Sequence, residues 1–176
     1  LTVQFTDAST GSPTSWAWYF GDEEFTGPWT ELTTNAEWGE RTGHSSVALP
    51  DGSIVLMGGS SSGYKNDVWR STDGGATWKQ MTTNAGWSAR DGHSSVVLPD
   101  GSIVIMGGSS SGYKNDVWRS TDNGATWMQM NASAAWSARS GHTSVALPDG
   151  SIVIMGGYSS GGYRNDIWRS TDNGAT

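Results

Sequence analysis

Residues 43–90 are written again as residues 92–139, position for position at a spacing of 49. Of these 48 positions only eight differ, mostly by mild exchanges such as Ala48/Val97, Leu56/Ile105 and Gly74/Asn123. A third copy opens at Gly141 and carries one extra residue near positions 161–162. Repeats of this length, rich in strand signals, specify an array or a propeller in which each unit buries its apolar face against the next. The repetition also constrains function. Near-identical units present near-identical surfaces, whereas a catalytic centre needs different residues converging on one point.

The chain has 25 glycines and 11 tryptophans but only 5 prolines in 176 residues. That is the profile of short strands, many turns and large aromatic anchors. The formal charge of −7 argues against nucleic acid as a partner, since binding it calls for a basic face. It also gives no attraction to anionic membranes. With no cysteine, disulfides, thiolate metal sites and cysteine nucleophiles are excluded. No run approaches the ~20 apolar residues of a membrane span, and no signal peptide is visible. Leu1 and the shortened third copy suggest a fragment of a longer protein.

Within one repeat, residues 45–49 alternate as a short strand. Pro50-Asp51-Gly52 is a tight turn, and residues 54–57 form an apolar run expected to be buried on both faces. Gly58-Gly59 is expected to end that strand, with 60–65 a polar loop. Residues 67–71 and 77–81 are predicted as the third and fourth strands around a turn at 72–76. Residues 84–90 link to the next copy. Four antiparallel strands in 49 residues is the size of a propeller blade. The expected class is therefore all-β: a propeller of four-stranded antiparallel blades, about three and a half per chain. The blade repeats are 41–90, 91–139 and a truncated 140–176.

Three sets of residues carry a family resemblance: Arg41, Gly43-His44, Gly58-Gly59, Tyr64 and Trp69; Arg90, Gly92-His93, Gly107-Gly108, Tyr113 and Trp118; Arg139, Gly141-His142, Gly156-Gly157, Tyr163 and Trp168. Each resembles a kelch repeat, which implies the four-stranded blade of a β-propeller. A second pattern sits inside each blade. Ser71, Asp73, Gly75 and Trp78, then Ser120, Asp122, Gly124 and Trp127, then Ser170, Asp172 and Gly174 resemble the Asp-box of sialidase-like propellers. The resemblance implies a structural hairpin between the outer strands. In residues 1–40, the Val3–Gly11 stretch and Trp18-Tyr19-Phe20-Gly21-Asp22 resemble part of a PKD domain, a sandwich found in extracellular and surface-layer proteins. This implies an extracellular or cell-surface location. The sequon at Asn131-Ala132-Ser133 is compatible with it.

Trp29 to Trp38 aligns with Trp78 to Trp87 at the same spacing, so residues 29–32 read as a spare fourth strand. Three blades do not close a ring. The expectation is a homo-oligomer in which this strand completes a partner's blade, or neighbouring repeats of a longer chain, because an open sheet edge invites pairing.

Several candidates for chemistry recur once per blade. His44, His93 and His142 suit either metal ligands near a central channel or structural bonds to the neighbouring blade, and the second reading is preferred. Asp73, Asp122 and Asp172 suit either calcium or a structural turn; one carboxylate per turn is thin for an ion of six to eight ligands, and the second reading is preferred. Asp51, Asp100 and Asp149 read as turn residues. Arg70, Arg119 and Arg169 read as surface ion-pair partners of the Asp73-type residues, and the tryptophans as blade core. The candidate binding edge is Tyr64, Asn66 and Asp67; Tyr113, Asn115 and Asp116; and Tyr158, Tyr163, Asn165 and Asp166, whose aromatic, amide and carboxylate groups suit a glycan or a surface protein. No catalytic constellation, cofactor or metal site is assigned. The function expected is a non-catalytic binding or scaffold module. The alternative is a piece of a secreted sialidase-like or other glycosidase whose catalytic residues lie elsewhere.

Overall fold

The computed structural model describes residues 29–176. The PKD-like stretch of residues 1–22 lies outside the described residues. Fourteen strands and no helix occur among the described residues, and all lie in one compact unit, Leu32–Thr176. The first blade is β1 (Ser45–Ala48), β2 (Ile54–Ser60), β3 (Tyr64–Ser71) and β4 (Lys79–Thr82), antiparallel in that order. The second repeats it as β5 (Ser94–Val97), β6 (Ile103–Ser109), β7 (Tyr113–Ser120) and β8 (Met128–Asn131). Then come β9 (Arg139–Ser140), β10 (Thr143–Ala146), β11 (Ile152–Met155), β12 (Tyr158–Ser159), β13 (Gly162–Tyr163) and β14 (Ile167–Ser170). Strands β10, β11 and β14 form the third blade. The β12–β13 hairpin instead continues the second blade's sheet through β9.

Three expectations need correcting. Gly58-Gly59 does not end β2. Both glycines take positive φ, 57° and 96°, and form a bulge past which the ladder resumes at Gly59↔Lys65 and Ser60↔Tyr64. The polar loop therefore shrinks to residues 61–63, and β3 starts at Tyr64. The fourth strand starts only at Lys79, because the preceding turn holds the chain through Trp78. Residues 29–32 form no strand.

The pleat explains how blades stack. Successive side chains point to opposite faces. Val55 and Met57 of β2 meet Ile103 and Ile105 of β6, with Val68 and Trp87. Val104 and Met106, on the other face of β6, meet Ile152 and Ile154 of β11, with Val117 and Trp136. The equivalent run 103–106 of the second blade is thus covered on both faces, as expected for a sheet packed between sheets, whereas in 54–57 Val55, Leu56 and Met57 are buried and Ile54 is half-buried. The inner strands β1, β5 and β10 lie side by side. Their entry glycines are bonded in series, Gly92 N–H to the Gly43 carbonyl at 2.9 Å and Gly141 N–H to the Gly92 carbonyl at 2.8 Å. The β2–β3 tips and the blade linkers share one end of the unit. The Pro-Asp-Gly turns and the Ser71–Trp78-type turns occupy the other.

Candidate functional site

At the linker end each blade is organised by an arginine. Arg90 and Arg139 are fully buried. Arg90 lies 5.8 Å over the Trp87 ring and forms a two-pronged pair with Asp116 at 2.6 and 2.7 Å. Its remaining donors reach the Gly107 carbonyl, the Ser88 carbonyl and the Ser88 hydroxyl. All five guanidinium N–H groups are used, as a buried cation requires. Arg41 does the same with Asp67, and Arg139 with Asp166. Burial works to raise the Asp67 and Asp116 carboxyls, but the hydrogen bonds from Arg41 and Arg90 outweigh it and hold both below the ordinary carboxylate range. Asp166 is also lowered, chiefly by Arg139. Each aspartate further accepts the indole N–H of Trp69, Trp118 or Trp168.

This corrects the candidate binding edge. Asp67, Asp116 and Asp166 hold the blades together. Asn66 donates to the Asn84 side chain and the Trp87 carbonyl, and Asn115 to the Ala134 and Trp136 carbonyls. Asn165 is exposed. The arginine role was not read from the sequence. The Trp-x-x-Arg spacing at Trp38, Trp87 and Trp136 was the available signal, but the aspartate partner lies 26 or 27 residues away.

The histidines stitch adjacent blades. His93 Nε2 lies 2.8 Å from Ser45 Oγ of the preceding blade, and His142 Nε2 lies 2.8 Å from Ser94 Oγ. Both are buried, and desolvation, reinforced by Arg90 and Arg139, pushes their pKa down to about 3 and about 4. They are neutral at physiological pH. Among the described residues no three His, Cys, Asp or Glu side chains gather in a metal-binding group. The double glycine makes room for this stitch. A Cβ at Gly58 would come within 3.0 Å of the Arg90 carbonyl and the His93 ring, and one at Gly107 within 2.8 Å of the His142 ring.

At the opposite end, Ser71 Oγ donates to Asp73 and accepts from Gly75 N–H, while Asp73 takes the Thr77 N–H and hydroxyl. These bonds lower Asp73 to about 2, Thr77 being the largest contributor. Ser120, Asp122 and Gly124 repeat the turn, as do Ser170, Asp172 and Gly174. The indoles of Trp78 and Trp127 donate to the carbonyls of Gly75 and Gly124. The arginines of β3, β7 and β14 pair differently from expectation. Arg70, Arg119 and Arg169 reach Asp51, Asp100 and Asp149 of the Pro-Asp-Gly turns, because these turns lie opposite them across the ladder.

What remains open at the linker end is aromatic. Tyr113 meets Tyr158 edge-on at 5.9 Å, and Tyr158 meets Tyr163 edge-on at 5.0 Å. Tyr163 is 89% exposed and Tyr158 42%. Tyr158 stands where the other copies have Ser60 and Ser109, so this cluster exists only at the seam of the second and third blades. Arg164 is anchored beside it, its Nε donating to Ser159 Oγ at 2.8 Å. Tyr64 is exposed but has no such neighbours among the described residues.

Stacked four-stranded blades, glycine bulges seating the next blade and an arginine per linker define a β-propeller repeat protein. The family profile described as KLHDC2/KLHL20/DRC7 Kelch-repeats domain matches residues 43–171. The chain belongs to the kelch-repeat family, whose domains typically serve as non-enzymatic protein-binding scaffolds. No curated protein matches it.

Proposed function

We propose that this chain is a non-catalytic binding module that holds a polypeptide partner on the tyrosine rim at the seam of its second and third blades. The observation that carries this reading is the Tyr113, Tyr158 and Tyr163 cluster. One member is a departure from an otherwise repeated sequence, and it creates an exposed aromatic surface. The rim is composed of Tyr, Ser and Gly, from the tips 60–64, 109–113 and 158–163. That combination gives rigid aromatic contacts and adaptable hydrogen bonding in protein-recognition loops. Lys114 and Arg164 lie at equivalent positions beside the tyrosines and offer donors to a partner's carbonyls or carboxylates.

A glycan ligand is less well served, since the aspartates and the first two blades' asparagines that would bond sugar hydroxyls are occupied within the blades. An extracellular or cell-surface setting rests on the PKD resemblance alone. The sequon gives it no added support, because Asn131 donates its side-chain amide to the Ala175 carbonyl at 2.8 Å. Selection of a displayed peptide library on this chain, counter-screened with Tyr158→Ser and Tyr163→Ser, tests the reading. Peptides lost by both variants support it. Binding indifferent to both, or tyrosine-dependent binding on a glycan array alone, overturns it.

A further inference from the structure

The outer edge of β14 and the seam beneath it are unfinished in a specific way. Between the first two blades, Trp127 meets Trp87 edge-on at 6.0 Å and donates its indole N–H to Gly124. Trp78 and Trp38 repeat the arrangement at 6.1 Å. Among the described residues no tryptophan faces Trp136. Instead a cleft of about 60 Å³ opens there, lined by Met106, Val117, Trp136, Ile154, Trp168 and Gly174. No strand pairs with the outer edge of β14 among the described residues. Ile167 is accordingly 68% exposed, whereas its equivalents Val68 and Val117 are 0% and 2% exposed.

We propose that this cleft is a docking site for the Trp29–Leu32 segment of a second copy of the chain. The segment has the matching chemistry and register. Trp29 aligns with Trp78 and Trp127, and Leu32 with Met81 and Met130. Trp29 is fully exposed and Leu32 59% exposed. Carrying over the pairing of β3 with β4 and of β7 with β8 sets Thr30 opposite Arg169 and Glu31 opposite Trp168. Trp29 then covers Trp136 and donates to the Gly174 carbonyl, while Leu32 covers Ile167.

The placement is continuous with an interface already built. Residues 33–41 align with 82–90, the linker that carries β4 into the second blade. A segment docked on β14 therefore delivers its own first blade next to the third blade of its host, by the step that relates every other pair. Leu32 already lies against Gly75, 3.7 Å from where a Cβ would be. Repeating the exchange in both directions gives a two-fold ring of six blades, within the four to eight that propellers adopt.

Mass measurement in solution by light scattering tests this first. Twice the 18.7 kDa chain mass is expected, falling to the single-chain mass for Trp29→Ala and for Ile167→Asp. Both residues are exposed in the free chain, so neither change disturbs its folding. A single-chain mass for the unaltered protein, or an assembly that survives both changes, overturns the proposal. The chain has no cysteine of its own, so register is tested by mixing Thr30→Cys protein with Arg169→Cys protein. Facing residues on paired strands lie within disulfide reach. A covalent heterodimer is expected. Cross-linking within a double variant but not in the mixture means a chain docks on itself, and overturns it.

Discussion

The seam between the first and second blades and the seam between the second and third are made from nearly the same residues, yet only the first is closed at its outer side. Both have a buried arginine over a tryptophan, a histidine reaching back to a serine, and a glycine turn seated on a valine. They diverge where the stack runs out of neighbours. Trp87 is fully buried beneath Trp127, whereas Trp136 borders an open cleft and Trp168 is 39% exposed. The difference teaches that burial in a repeat array belongs to the pair of repeats. The same strand is core in one position and surface in the next.

The largest way to break the likeness of the seams is to remove the arginine. Arg90→Ala leaves Asp116 without its cation in a buried setting, at a cost of about 3–5 kcal/mol, read as a shift of the urea midpoint. The double change Arg90→Met, Asp116→Leu recovers most of that loss, because it removes the unpaired charge. A double variant no more stable than the single one contradicts the view that the charge must be matched. Arg119 in the same blade offers the contrast. Its partner Asp100 is 55% exposed, so Arg119→Ala costs under about 1 kcal/mol.

A smaller effect sharpens the comparison at the turns. Gly124 and Gly75 hold equivalent positions at φ of 90° and 104°. A Cβ on Gly124 meets Val68 at 2.7 Å, while one on Gly75 finds only the flexible end of Leu32 at 3.7 Å. Gly75→Ala therefore carries only the backbone strain, about 1 kcal/mol. Gly124→Ala adds an overpacked contact, for a total of about 2–3 kcal/mol. Equal midpoint shifts for the two would show that the seam tolerates the added methyl group.

Much of the fold was legible because the pattern repeats at a fixed period. Strand order within the blade, the apolar run of β2 and the histidine's reach to the neighbouring blade all follow from local pattern plus stacking. What was not legible depends on groups far apart in the chain. The lone aspartate before Trp69 looked like a ligand because its arginine lies 26 residues upstream. The glycine pair looked like a strand end because a bulge and a terminus share the same residues. Tyr158 was visible as an exception to the repeat. Its packing between Tyr113 and Tyr163 depends on β9 bridging the β12–β13 hairpin to β7; Asp91 pairs with Ser109 in the same way, but only the third copy puts a tyrosine at that position.

The histidines give the mildest and most discriminating comparison, because pH probes both seams without a change in packing. His93 and His142 bind protons in the unfolded chain near pH 6.5 but resist them in the folded chain down to about pH 3 and about pH 4. Between those limits the unfolded state holds more protons, so stability falls as pH drops below 6.5 and levels off near the folded values. Each histidine contributes a slope of about 1.4 kcal/mol per pH unit. The lowered aspartates act in the same direction, but only below about pH 5, where unfolded carboxylates begin to protonate. The window from about pH 5 to 6 therefore belongs to the histidines. His44 is lowered as well, by partial burial and Arg41, but no serine of a preceding blade meets it among the described residues. Stability measured across this window should lose one such slope in His93→Gln and one in His142→Gln, and change least in His44→Gln. Equal flattening by all three would mean that the stitch to a preceding blade does not set the histidine's environment.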